Sequence, residues 1–105
     1  MFPPGDDAIV VLMAFVYMVR CSDGTLYVGH TNRIVSRERT HNEGRGARYT
    51  AERRPVKLVY YEQLDSTEEA IARERQLKRW SAKKKAALIA GDHSTLKMLS
   101  KRRRF

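Results

Sequence analysis

The sequence predicts an α+β domain in which a three-stranded, mostly antiparallel sheet is flanked by helices. Three observations predict it. Two β-rich runs, Phe15 to Cys21 and Thr25 to Gly29, flank a turn containing Asp23-Gly24, which is a strong hairpin pattern. A third β-rich run, Val56 to Glu62, alternates behind Pro55, a residue that strands admit at their start or on a sheet edge. Ser66-Thr67-Glu68-Glu69 then opens a stretch of helical period, with the Ser-x-x-Glu spacing of a capping box.

The length of the hairpin loop fixes which side chains share a face. A two-residue turn would pair Ser22 with Thr25 and send Tyr17 and Tyr27 to opposite faces. A three-residue loop with Gly24 left-handed pairs Cys21 with Thr25, Val19 with Tyr27 and Tyr17 with Gly29. The two tyrosines then lie diagonally on one face, roughly 7–8 Å apart at the backbone. Gly29, lacking a side chain, leaves space beside Tyr17. This second register is the expected one.

Beyond Gly29, His30 is either a phosphate contact or, the favoured reading, a turn residue, and Asn32 or Thr31 is the N-cap of a helix ending near His41. Ile34, Arg37, Glu38 and His41 share one helical face, and the apolar Ile34 turns that face toward the sheet. Arg37 is there either a surface arginine or a planar, two-pronged clamp for phosphate oxygens. His41 is either a helix-end group satisfied in the core or part of a site.

The segment Asn42 to Arg54 is a Gly-containing basic loop. Arg45, Arg48, Arg53 and Arg54 outnumber Glu43 and Glu52 two to one, and Tyr49 adds an aromatic face on which a base could stack. It reads as a solvated connector or as a nucleic-acid contact. In the third strand, Val56, Leu58 and Tyr60 should face one way and Lys57, Val59 and Tyr61 the other, with both tyrosines packing.

The capped helix should run from Thr67 to about Arg79, with Ala70, Ile71, Glu74, Leu77 and Lys78 on its inward stripe. Glu74 is the oddity there. It is either an i, i+4 partner of Lys78 or a metal ligand, and the ligand reading is favoured because a lone charge on a buried face is costly. Trp80 reads as core. Ser81 should cap a further helix to about Ala90, stopped by Gly91, in which Lys83, Lys84 and Lys85 are a solvated face or phosphate contacts. Ser94 to Phe105 ends in Lys101-Arg102-Arg103-Arg104 and reads as a basic tail without structure of its own.

At 105 residues the chain is one domain. It divides into an N-terminal extension or mis-set start (1–12), a core domain (13–92) and the basic tail (93–105). A single cysteine, Cys21, allows no internal disulfide and suits a reducing cytoplasm. No stretch reaches the ~18 apolar residues of a membrane span. Against 12 acidic residues there are 21 basic ones, of which only Arg20 precedes His30. An excess of positive charge on the later segments points to an anionic polymer, nucleic acid first.

Phe15-Val16-Tyr17 and Tyr27-Val28-Gly29, ten residues apart tyrosine to tyrosine, resemble the two halves of the motif of GIY-YIG nucleases. Arg37, His41, Glu74 and Lys78-Arg79-Trp80-Ser81 fall where the small single-domain bacterial members, the UPF0213-like proteins, place theirs. The resemblance covers about Ala14 to Asp92, with Phe15 standing where the motif name has Gly. It implies an endonuclease that hydrolyses DNA phosphodiesters with one divalent cation, Mg²⁺ or Mn²⁺, held by Glu74. It also implies Arg37 as a phosphate clamp, His41 as an active-site supporter, and a role in repair or recombination. Tyr17, helped by Tyr27, would orient or deprotonate the attacking water. A tyrosine near its ordinary pKa of ~10 is too little ionised for that at neutral pH, so positive charge from Arg37 and the cation should lower it. With no sign of a sequence-reading domain, selectivity is expected for DNA structure, or with help from a protein partner, and DNA is favoured over RNA. The rival reading is a non-catalytic nucleic-acid-binding module on the same fold.

Overall fold

The computed structural model describes residues 13–102, so the readings placed on residues 1–12 and 103–105 lie outside the described residues. Strand β1 (Ala14–Arg20) is central, with β2 (Leu26–Thr31) and β3 (Lys57–Leu64) antiparallel on either side in the order β2-β1-β3. Helices α1 (Ile34–Asn42), the single turn α2 (Arg48–Ala51), α3 (Thr67–Lys78), α4 (Ala82–Ala90) and α5 (His93–Arg102) complete the domain. The α+β class and the three-stranded antiparallel sheet are as expected.

The hairpin adopts the three-residue register. Tyr17 pairs with Gly29 and Val19 with Tyr27, the Cys21 N–H donates to Thr25 O at 2.8 Å, and the Gly24 N–H donates to Cys21 O at 2.9 Å. Gly24 takes φ +86°, a left-handed conformation that only glycine adopts without strain. Asp23 closes the loop by accepting from the Thr25 N–H and hydroxyl.

Alternation along β1 sends its side chains into two cores. Val16 and Met18, with Val28, meet Leu77 of α3 and, partly buried, Trp80 and the α4 residues Leu88 and Ile89. Tyr17, Val19 and Cys21, with Val56, meet Tyr27, Ile34, Tyr49 and Leu58 on the other face. The helices thus cover both faces, and α5 packs chiefly on α4.

The expected faces of β3 are corrected by a bulge. Met18 pairs with Tyr60 but Val19 with Leu58, so Val59 is an extra residue that inverts the alternation beyond it. Leu58 packs with Tyr17, whereas Tyr60 packs with Met18 on the opposite face. Tyr61 is not a packing residue in the full sense: it is 57 % exposed and touches Phe15 edge-on.

Helix ends follow their caps. Ser66 Oγ accepts from the Glu69 N–H and Ser81 Oγ from the Lys84 N–H, and Gly91 stops α4 at φ +71°. The expected N-cap of α1 is shifted: Arg33 occupies it without a side-chain bond, while Asn32 donates to Met13 O. Thr31 Oγ1 accepts the Arg33 N–H just ahead of the helix. Residues 93–102, expected to lack structure, form α5, because Asp92 accepts from the Thr95 N–H and hydroxyl and so nucleates a helix.

Leu77 is fully buried beneath the sheet. Leu77→Ala should therefore lower unfolding free energy by about 2–5 kcal/mol, read from the urea midpoint; a loss near zero would contradict this packing.

Candidate active site

The site forms around the free edge of β2, where side chains from both faces of the sheet converge. Gly29 makes this possible. A Cβ built on it would lie 2.5 Å from the Tyr17 hydroxyl and 2.7 Å from its Cζ, so the Tyr17 ring occupies the space that a side chain would fill. The Tyr17 hydroxyl then reaches His41 Nε2 at 2.7 Å, with ring centroids 5.6 Å apart. Tyr27 lies against the same imidazole, also at 5.6 Å.

Helix α1 delivers His41 because it is pinned on either side of that residue, to β3 and to Val56 just ahead of it. Glu38 Oε2 accepts the Leu58 N–H at 2.6 Å. Asn42 makes two bonds to Val56, donating to its carbonyl at 2.9 Å and accepting its N–H at 2.7 Å. One turn earlier, Arg37 donates through Nε and Nη2 to Thr31 Oγ1 at 3.1 and 2.7 Å. That tether leaves its remaining N–H groups available.

From the other face, α3 contributes Glu74, whose side chain is 14 % exposed. Its Oε1 meets His30 Nδ1 at 2.5 Å and its Oε2 meets Lys78 Nζ at 2.8 Å. Lys78 also places its ammonium 5.6 Å from the centre of the Tyr27 ring, within reach of a cation–π attraction. Tyr17, Tyr27, Arg37, His41 and Glu74 are thus brought together from β1, β2, α1 and α3.

A family model described as the GIY-YIG catalytic domain matches residues 13–87. The chain belongs to the GIY-YIG family. Members of this superfamily are endonuclease-type enzymes that act on nucleic acid. The chain is 48 % identical over 75 residues to the UPF0213 proteins SAV0488 and SA0446 of Staphylococcus aureus strains Mu50 and N315, covering 71 % of this chain and 92 % of each relative. A solution NMR structure of the UPF0213 protein BH0048 from Bacillus halodurans is 37 % identical, covers 74 % of this chain and 83 % of that one, and superposes with a TM-score of 0.49. Among the described residues no helix is long and apolar enough to cross a membrane.

The electrostatics of this GIY-YIG site differ from expectation at Tyr17. Burial pushes the phenol well above its ordinary range, the neighbouring Tyr27 and Glu74 push the same way, and only Arg37 opposes them. Desolvation of a buried oxyanion outweighs a single nearby cation. Burial, then Arg37, holds His41 below the ordinary imidazole value, so its ring is neutral. Burial works to raise Glu74, but hydrogen bonds from Lys78 and His30 outweigh it and keep the carboxyl below its usual range.

The loop residues Arg45, Arg48, Tyr49, Arg53 and Arg54 do not join this cluster as a group. Arg45 pairs with Glu43 and Arg48 with Glu52, while Arg54 donates to the Ala51 and Asn42 carbonyls. Tyr49 stacks on Tyr27 with centroids 6.0 Å apart and carries the Arg53 guanidinium 3.7 Å from its ring centre. Its hydroxyl donates to Thr25, and Arg53 in turn pairs with Asp23. The ring is thus already partnered and braces Tyr27 against the hairpin loop. Lys84 is buried beside Trp80, its ammonium 4.1 Å from the ring centre, which separates it from the exposed Lys83.

Sequence reasoning missed Thr31, Gly46 and Thr50 as residues of the site, and favoured a turn for His30 over a place in it. His30 lies inside β2 rather than in a turn, and period-2 alternation from Val28 was the available signal for its placement on the α3 side.

The His41 shift has a consequence for stability. The unfolded histidine takes up its proton near the ordinary value of 6.5 and the folded one only below that. Stability present above the ordinary value is therefore lost as pH falls through the folded value. Between about pH 8 and pH 5 the urea midpoint should fall more steeply in the unaltered protein than in His41→Gln; equal slopes would contradict a buried neutral His41.

Proposed function

We propose that the protein is a divalent-metal-dependent endonuclease that hydrolyses DNA phosphodiesters, selecting them by structure rather than by sequence. The observation that carries this reading is the convergence of a buried Tyr17–His41 pair, a tethered arginine and a lone carboxylate on one sheet edge. A module that only binds nucleic acid does not require a carboxylate at this edge, even one balanced by Lys78 and His30 as Glu74 is. The preponderance of basic residues suits attraction to the phosphate backbone, which carries no sequence information of its own. A reducing cytoplasm, consistent with the free, buried Cys21, and a role in repair or recombination complete the reading.

The donor set at Glu74 fits Mg²⁺ or Mn²⁺. Each carboxylate oxygen keeps a lone pair beyond the one given to His30 or Lys78. Mg²⁺ takes one or two carboxylates, retains waters and draws further oxygens from substrate phosphate. In this reading Glu74 is the one protein carboxylate that the cation takes, with water and substrate oxygens as its other ligands. Bound there, the cation would supply Lewis-acid stabilisation of charge on the phosphate oxygens.

The chain's own residues supply the rest. Arg37, steadied by Thr31, donates its remaining N–H groups to the pentavalent phosphate. Tyr17 is a neutral phenol, and even an ordinary tyrosine is only about one-thousandth ionised at neutral pH. Acting as a pre-formed phenolate is therefore the weaker route. In the stronger route, the water oxygen bonds to phosphorus while its proton passes to the Tyr17 oxygen and the Tyr17 proton passes to His41 Nε2. The bond from phosphorus to the leaving oxygen then breaks, and that oxygen takes a proton from solvent.

Labelled duplex, flap, branched and single-stranded DNA and an RNA duplex, incubated in Mg²⁺, Mn²⁺ or EDTA, test this reading. Metal-dependent cleavage of DNA should be lost in Glu74→Ala and fall about 10²–10³-fold in Arg37→Ala, with binding of Glu74→Ala retained. Binding without cleavage of any substrate, unaffected by Glu74→Ala, would replace the nuclease with a binding module.

A further inference from the structure

The segment after α1 returns to the imidazole it has just left. Backbone N–H groups of Gly44 and Arg45 donate to the His41 and Thr40 carbonyls, which closes the helix, and nine residues after His41 the fully buried Thr50 places Oγ1 2.7 Å from His41 Nδ1. Gly46 makes room for the ring: a Cβ there would lie 2.1 Å from Nδ1 and 2.7 Å from Cε1. His41 is therefore enclosed by its own loop on one side and Tyr17 on the other.

Counting hydrogens along this chain gives it a direction. Thr50 has one hydroxyl hydrogen, and Oγ1 lies 2.8 Å from the Ala47 carbonyl, a group that only accepts. With its hydrogen given to Ala47, Thr50 presents a lone pair to His41, so Nδ1 carries the imidazole hydrogen. A neutral imidazole has one N–H, which leaves Nε2 bare to accept the Tyr17 hydroxyl. The reverse arrangement loses the bond to Ala47 and takes from the buried Tyr17 hydrogen the acceptor that Nε2 offers. The forward chain satisfies every group in it.

We propose that Thr50 is a positioning residue for the cleavage reaction: it locks His41 in the Nδ1–H tautomer, so that Nε2 is held open for the Tyr17 proton. This rests on the nuclease reading above and gives the loop of residues 42–54 a task at the site besides contact with nucleic acid. The hydroxyl of Thr50 bonds His41 and the Ala47 carbonyl, so its effect on Tyr17 passes through the imidazole. A second-partner hydrogen bond of this kind commonly fixes which ring nitrogen of a histidine is reactive.

The test reads the tautomer directly. In long-range ¹H–¹⁵N spectra of ¹⁵N-histidine-labelled protein at neutral pH, with His41 assigned by its absence in His41→Gln, the ring should show a protonated Nδ1 and a bare Nε2. Thr50→Val, similar in shape but without the hydroxyl, should shift His41 toward the Nε2–H form and lower cleavage by about tenfold or more; Thr50→Ser should restore both. An Nε2–H tautomer in the unaltered protein overturns the proposal, and that measurement needs no variant to fold. So does a Thr50→Val protein that changes tautomer without losing cleavage, or loses cleavage without changing tautomer. Failure of the unaltered protein to cleave any DNA overturns the nuclease reading and with it the role in cleavage, while the spectrum still decides the tautomer.

Discussion

The hydrogen bond between Tyr17 and His41 joins the two halves of the domain that matter most: the central strand of the sheet and the end of the helix laid across it. It exists because Gly29 has no side chain, since any Cβ on β2 at that point would strike the Tyr17 ring. Everything around it serves to hold its two ends. Glu38 and Asn42 bind the backbone of Leu58 and Val56 on either side of His41, Tyr27 and Tyr49 stack beside it, and Thr50 closes the far nitrogen. A phenol and an imidazole buried this fully would each be costly without a partner. Paired, they form a polar pair that is satisfied in the core beside Gly29 of β2.

Charge at that edge is arranged around a single carboxylate. Glu74 sits between the His30 imidazole and the Lys78 ammonium, with the Lys78 ammonium also over Tyr27 and Arg37 tethered to Thr31. Hydrogen bonds from Lys78 and His30 keep the Glu74 carboxyl below its usual range despite its partial burial. Burial acts on Tyr17 in the opposite sense, keeping it protonated. The two acids of the site are thus held in different protonation states by their surroundings, which assigns them different work.

Much of this arrangement was legible in the sequence. A loop of Ser22, Asp23 and Gly24 fixes the register, and the register places Tyr17, Tyr27 and Gly29 together; the Ser66 cap starts α3, and its period turns Glu74 inward. What was hidden depends on departures from regularity or on distant polar partners. A bulge at Val59 inverts the faces of β3, and no composition signal distinguishes Val59 from its neighbours. Tyr49 looked like a free stacking surface because Arg53 and Tyr27 reach it only after the loop folds back. Thr50 is an ordinary polar residue until the Gly46 backbone brings it beneath His41. Arg37 lowers Tyr17 in the expected sense but burial outweighs it, because a strand pattern reports the face of a side chain and not how deeply the helices cover it.

A double-mutant cycle decides whether Tyr17 and His41 act as one unit. Single-turnover cleavage would be measured for Tyr17→Phe, His41→Gln and the protein carrying both. If one passes its proton to the other, removing either breaks the same step, and the double variant should be no slower than the slower single one. Losses that multiply would show that the two groups contribute independently and would contradict the account.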